Sequence, residues 1–241
     1  MDWIQTIEKL LFYVVASSYL LLPVGFFLSK TRKTEKVPLV IAIYGFAFFF
    51  LLLSYKYWQD RFPGDIYPKD KEARKYVQLV YTFLEYSIFA FIFYFNITSN
   101  RLKKLIPILS ILFLAFQIIY STSIKLLRLD SVPIGIETIL VLIYITYFFF
   151  ETFKKGQDQY VYNHYCFWLS VGILIYLGGS FFFYILINDL SKDQVQSFGN
   201  MTYVAEIIKN ILFAAALFVY VRYPLKTNTK KNESIPYLDM I

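Results

Sequence analysis

Apolar residues in this chain come in blocks of about twenty, parted by short charged stretches, which is the pattern of helices that cross a lipid bilayer. The blocks predict seven transmembrane helices, over 7–28, 37–55, 76–97, 105–123, 132–153, 165–187 and 201–221. At about 1.5 Å per residue, each is long enough to span a hydrocarbon core of about 30 Å. The connections are short except for 56–75, where RFPGDIYPKDKEARK predicts a turn-rich loop, with FPGDIYP as a rigid connector or a lid. The fold expected is all-α: one seven-helix membrane domain over 1–222 and a short basic tail over 223–241. The helices are expected to be unbroken, with no inverted repeat.

Composition narrows the chemistry. The chain is 58% hydrophobic and 17% charged, against about 25% charged for a soluble domain. Cys166 is the only cysteine and His164 the only histidine. An internal disulfide, a cysteine-based zinc or iron-sulfur site and a multi-histidine metal site are thereby excluded. HExxH, GxSxG and other catalytic signatures are absent from the sequence. The opening MDWIQTIEKL lacks a basic n-region and leads into a spanning block, so it reads as a retained helix.

Seven crossings place the termini on opposite sides. One side collects 13 basic residues and the other 10, which puts the C-terminus in the cytoplasm and the N-terminus outside. The net charge of +7 is met by basic inner loops facing anionic headgroups of the bilayer, and no soluble basic surface remains for nucleic acid. The bias to Ile, Phe, Tyr, Lys and Asn points to a bacterial cytoplasmic membrane. The tail is too short for an output domain, so any signal leaves through a cytoplasmic or membrane partner that meets the basic inner loops and tail.

Four ionisable residues interrupt the apolar blocks: Glu85, Glu137, Glu206 and Lys209. Each costs about 2.5–3.5 kcal/mol to insert, and such residues face a bundle interior or a cavity. Counted from the outer span ends, Glu137 and Glu206 lie about 8 Å deep, Gln117 about 9 Å, Lys209 about 12 Å and Glu85 about 14 Å. They form one layer in the outer half. Glu206, Lys209, Asn210 and Phe213 follow i, i+3, i+4, i+7 and share a helix face, as do Gln78, Tyr81 and Glu85. Glu137, Tyr144 and Glu151 make a polar line on the fifth span. The candidate ligand or ion site is therefore Glu85, Glu206, Lys209 and Asn210, joined by Glu137, Gln117 and Tyr81. A plainer alternative is a structural ion pair between Glu206 and Lys209. Three carboxylates face one ammonium, so either at least one glutamate keeps its proton or a cationic ligand supplies missing charge.

A lysine midway along the seventh span, with a carboxylate on the third, resembles the Schiff base and counterion of microbial rhodopsins. The resemblance rests on Lys209 and Glu85, and implies a retinal-binding protein. Span six lacks the central Trp and Pro that line the retinal site of that family, and Glu206 stands three residues before the lysine where the family usually places an Asp four before. Three functions follow: a sensory or ligand-binding membrane component with a polar pocket in its outer half, a small proton- or ion-coupled transporter, and a retinal protein.

Overall fold

The computed structural model describes residues 2–29, 36–61, 71–123, 131–154, 161–186 and 189–223. They form helices α1 (Asp2–Tyr19), α2 (Leu21–Leu28), α3 (Lys36–Arg61), α4 (Lys71–Asn96), α5 (Asn100–Ser123), α6 (Ser131–Lys154), α7 (Tyr165–Leu186) and α8 (Lys192–Arg222), with a short 3₁₀ turn at Val161–Asn163. The FPGDIYP stretch, Tyr160, the tail beyond Tyr223 and the side chains of Gln78 and Tyr184 lie outside what is described.

Six helical stretches among these residues are long and apolar enough to cross a membrane: Lys9–Leu28, Lys36–Tyr57, Leu79–Asn96, Asn100–Ser123, Val132–Lys154 and Ser197–Arg222. Helix α7 adds the shorter apolar run Tyr165–Phe181. Large apolar side chains stand on the outside of the bundle, among them Phe27, Phe50, Ile111, Ile139, Phe150 and Phe218. A continuous greasy surface of this kind is matched to lipid rather than water. The chain is a multi-pass helical protein of the membrane-embedded type.

The first span differs from the expected unbroken rod, because it is interrupted between Tyr19 and Leu21. Pro23 has no N–H to offer the Tyr19 carbonyl four residues earlier, and the Leu20 N–H turns instead to the Ser17 carbonyl at 3.0 Å. Gly45 of α3 fills the break. A β-carbon there would lie 2.5 Å from the Tyr19 carbonyl and 2.7 Å from Pro23 Cδ, so only a glycine lets the two backbones approach.

Packing closes a ring of α1/α2, α3, α4, α6, α7 and α8, with α8 also lying against α1 and α2. Helix α5 packs against α4 and α6, outside the ring. It buries one stripe, Ile106, Phe113, Gln117 and Ser121, at spacings of seven, four and four. Gln117 and Ser121 are thus on the packing side. Glu151 at the end of α6 secures the α4–α5 turn, accepting from the Thr98 and Ser99 N–H groups and the Thr98 hydroxyl at 2.8 Å each. A carboxylate there satisfies N–H groups beside a helix start and complements its positive end.

The most extensively packed helix pair is α7 with α8. A β-carbon on Gly179 would meet Ala205 Cβ at 2.7 Å, and one on Gly172 would meet the Lys209 carbonyl and Phe213 at 3.3 Å. The two glycines are seven residues apart, hence on one face, with Tyr176 between them on that same face. The approach they permit carries Tyr176 to the side chains of α8. At the start of α8, Ser191 and Gln194 form a reciprocal capping box.

Candidate functional site

Helix α8 has two faces of opposite character. Lys209, Asn210 and Phe213 are completely buried and Glu206 nearly so, while Val204, Ile208, Ile211 and Phe218 on the other side are exposed. The spacing i, i+3, i+4, i+7 thus turns every polar side chain of the segment into the centre of the ring.

Lys209 meets Glu85, not Glu206. Its Nζ lies 3.1 Å from Glu85 Oε1 and donates to Tyr44 Oη at 2.7 Å. Its third proton is left for the face of the Tyr176 ring, whose centroid is 3.8 Å away. Tyr19, Tyr44 and Phe89 complete an aromatic cage at 5.5, 5.3 and 6.0 Å. Tyr44 passes a hydrogen bond on to Glu85 Oε1 at 3.1 Å, and Tyr176 donates to Glu85 Oε2 at 3.0 Å. Glu85 therefore accepts three hydrogen bonds, one of them from a cation. Those bonds answer the cost of burying the pair.

Glu206 has no cation bonded to it among the described residues. Its Oε1 accepts from Tyr19, and from Tyr81 at 3.1 Å. Tyr81 Oη is also 3.3 Å from Tyr176 Oη. The phenols thereby join the two carboxylates into one network. Phe48 forms its apolar wall, with ring centroids 5.4, 4.4 and 4.8 Å from those of Tyr19, Tyr44 and Tyr81. Five rods, α1, α3, α4, α7 and α8, each supply at least one member.

The other expected residues fall around this centre. Asn210 Nδ2 donates to Ser18 Oγ at 2.8 Å, and Ser18 donates to the Val15 carbonyl, so Asn210 holds α8 to α1. Gln117 Nε2 reaches the Leu79 carbonyl at 3.3 Å and ties the peripheral α5 to α4. Glu137 is buried, within electrostatic reach of Glu85 and Lys209 but not hydrogen-bonded to them. Asn210 Oδ1, Gln117 Oε1 and Glu137 Oε1 are buried without a hydrogen-bond partner. The polar line on α6 separates into three tasks: Glu137 in the interior, Tyr144 bonded to Tyr86 at 3.1 Å, and Glu151 at the α4–α5 turn. An open apolar groove lies on the outer face of α6, lined by Ile139, Ile143 and Phe150 among others; it faces away from the cluster.

Sequence reasoning missed Tyr19, Tyr44 and Tyr176. Their signals were local: Tyr19 precedes Pro23 by four residues, Tyr44 adjoins Gly45, and Tyr176 stands between Gly172 and Gly179. Each tyrosine lies where two backbones come close. Chemically, the arrangement offers a buried ammonium–carboxylate pair, a second carboxylate served only by phenols, and a deficit of one positive charge between them. A proton or a small cation answers that deficit. The chain matches no model of a known protein family, no curated protein and no solved structure.

Proposed function

We propose that this protein is a sensory or ligand-binding component of the membrane, with the Glu85–Lys209–Glu206 cluster as its sensing centre and a proton or small cation as its ligand. The observation that carries this reading is the network itself: two buried carboxylates and one ammonium, joined by tyrosine hydroxyls across five helices. Buried ionisable groups in membrane helices are costly and default to function. A change of charge at such a centre alters hydrogen bonds on all five helices at once, which is how a local event shifts a bundle between two packings. In this reading the chain crosses a bacterial cytoplasmic membrane seven times, N-terminus outside, and passes its signal to a partner through the basic inner loops and tail. Asn210, Gln117 and Glu137 serve as supporting polar groups, whose unpartnered atoms offer acceptors to an incoming ligand.

The test is thermal unfolding of the full chain in lipid nanodiscs over a pH series and a panel of alkali, alkaline-earth and ammonium ions. Wild type is expected to shift its melting temperature by several degrees in at least one series, and Glu206→Gln to lose most of that shift. Identical responses in wild type and Glu206→Gln would sink the reading. The hydrogen-bonded carboxylates also favour a second reading, a small proton- or ion-coupled carrier. Proton flux in proteoliposomes separates the two, since a sensor moves no net charge.

A further inference from the structure

Four oxygens lie in sequence through the cluster: Glu206 Oε1, Tyr81 Oη, Tyr176 Oη and Glu85 Oε2. Their separations are 3.1, 3.3 and 3.0 Å, each within reach of a hydrogen bond. Three contacts need three protons, and the two phenols carry only two between them. With both carboxylates ionised, Tyr81 donates to Glu206 and Tyr176 to Glu85, leaving the Tyr81–Tyr176 contact empty. One proton on a carboxylate completes the row. The same single proton is the one that balances one ammonium against two carboxylates.

We infer that Tyr81 and Tyr176 are a proton path between Glu206 and Glu85, and that the cluster stores one proton which moves along it. This rests on the cluster being the functional centre. At rest the proton sits on Glu206 Oε1, because Glu85 already holds Lys209, Tyr44 and Tyr176 as donors. Hydrogen bonds then run one way, from Glu206 to Tyr81, to Tyr176, to Glu85. In transfer, the Glu206 O–H bond breaks and its proton joins Tyr81 Oη. Tyr81 gives its own proton to Tyr176, and Tyr176 gives its own to Glu85 Oε2. Both phenols end neutral and the row reverses direction. Glu206 finishes as a carboxylate and Glu85 as an acid, so the negative charge has passed from α4 to α8 while the total charge is unchanged.

The effect on the bundle follows from who faces the path. Tyr19 comes from α1, Tyr44 from α3, Tyr81 and Glu85 from α4, Tyr176 from α7, and Lys209 and Glu206 from α8; Glu137 of α6 lies within electrostatic reach. Neutralising Glu85 releases Lys209 from its charge partner on α4 and leaves it a new carboxylate one turn back on its own helix. A contact between helices becomes a contact within one. The relay is thus also a latch between α4 and α8.

The experiment is a pH jump on the full chain in nanodiscs, followed by time-resolved infrared spectroscopy of the protonated-carboxyl bands. Glu206→Gln and Glu85→Gln assign the two bands. In wild type the two carboxyls are expected to change protonation with one shared time constant. In Tyr81→Phe and in Tyr176→Phe, Glu85 should lag Glu206 by about a hundredfold, the lower end of what a positioned proton donor contributes. Tyr144→Phe, which removes a buried phenol away from the path, should leave the shared time constant in place. If either Phe variant does not fold, exchange of the stored proton on transfer of wild type to deuterated water replaces it: a common exchange rate at the Glu206 and Glu85 bands supports the path. Different rates for the two carboxyls in wild type, or a shared rate that survives both Phe substitutions, overturn the relay while the sensing centre stands. No carboxyl response at any pH overturns both.

Discussion

Lys209 is the only cation bonded to Glu85 among the described residues. Remove its ammonium and Glu85 is left buried with phenols but no counter-charge; remove the carboxylate and the ammonium is left with one hydroxyl and the ring faces. Breaking one side of a buried pair costs about 3–5 kcal/mol, whereas removing both sides costs far less. Lys209→Met is therefore expected to destabilise the folded chain by about that amount, and Glu85→Gln combined with Lys209→Met to recover most of it. Unfolding in detergent, arranged as a double-mutant cycle, measures the coupling; additive effects would mean the pair is not a unit. The charged members of the cluster were legible from depth and spacing alone, since a charge in an apolar helix has few places to go. Of the phenols only Tyr81 was, through its spacing to Glu85; Tyr19, Tyr44 and Tyr176 were not, because among 22 tyrosines a buried hydroxyl looks like an interface anchor or a packed ring until its partner is known. The in-helix pairing of Glu206 with Lys209 was the wrong geometry for a different reason. At i, i+3 both side chains point inward, and there Lys209 finds Glu85 and Tyr44 while Glu206 finds two phenols.

Helices place these groups through close approaches. The break between α1 and α2 exposes the Tyr19 carbonyl, and Gly45 sits against it; the pair Gly172 and Gly179 brings α7 onto α8. An added methyl at such a contact forces backbone movement, at a typical cost of about 1–3 kcal/mol. Gly45→Ala and Gly179→Ala are expected to lower the melting temperature and to weaken the Tyr19 and Tyr176 hydrogen bonds. Gly178→Ala, where a β-carbon would meet nothing within 4 Å, serves as the comparison and should be neutral or slightly stabilising. Equal losses at all three positions would refute the close-packing account. Long apolar blocks made the rods legible, because hydrocarbon leaves a backbone no alternative to the helix. The interruption of the first rod escaped, since Pro23 in an apolar block costs only local hydrogen bonds that a glycine neighbour makes tolerable. The position of α5 outside the ring was equally hidden: periodicity tells which stripe packs, not which helix receives it.

For the whole molecule the question is how many rods cross. Six stretches among the described residues qualify on length and apolarity, and α7 contributes the shorter run Tyr165–Phe181. Yet α7 lies between α6 and α8, with Cys166, Leu169, Ile173 and Tyr176 buried. A rod in the ring with spanning neighbours on both sides is expected to run through the same slab of lipid as they do. If it crosses, Tyr162 and Asp189 at its two ends lie on opposite sides, and Asp189 and Tyr223 at the two ends of α8 do so again. Single cysteines at these exposed positions, in a Cys166→Ala background, decide the matter with a membrane-impermeant maleimide on intact cells. Asp189→Cys is expected to label from outside; Tyr162→Cys and Tyr223→Cys should label only after permeabilisation. The basic excess on the Tyr223 side is what sets that direction. Tyr162 and Asp189 labelling together would leave α7 as a rod that does not cross, and the mirror pattern would reverse the insertion. With the mirror pattern the cluster is still expected nearer the membrane face on which Asp189 lies, since depth along each rod is fixed by the helix and not by which side of the bilayer it enters.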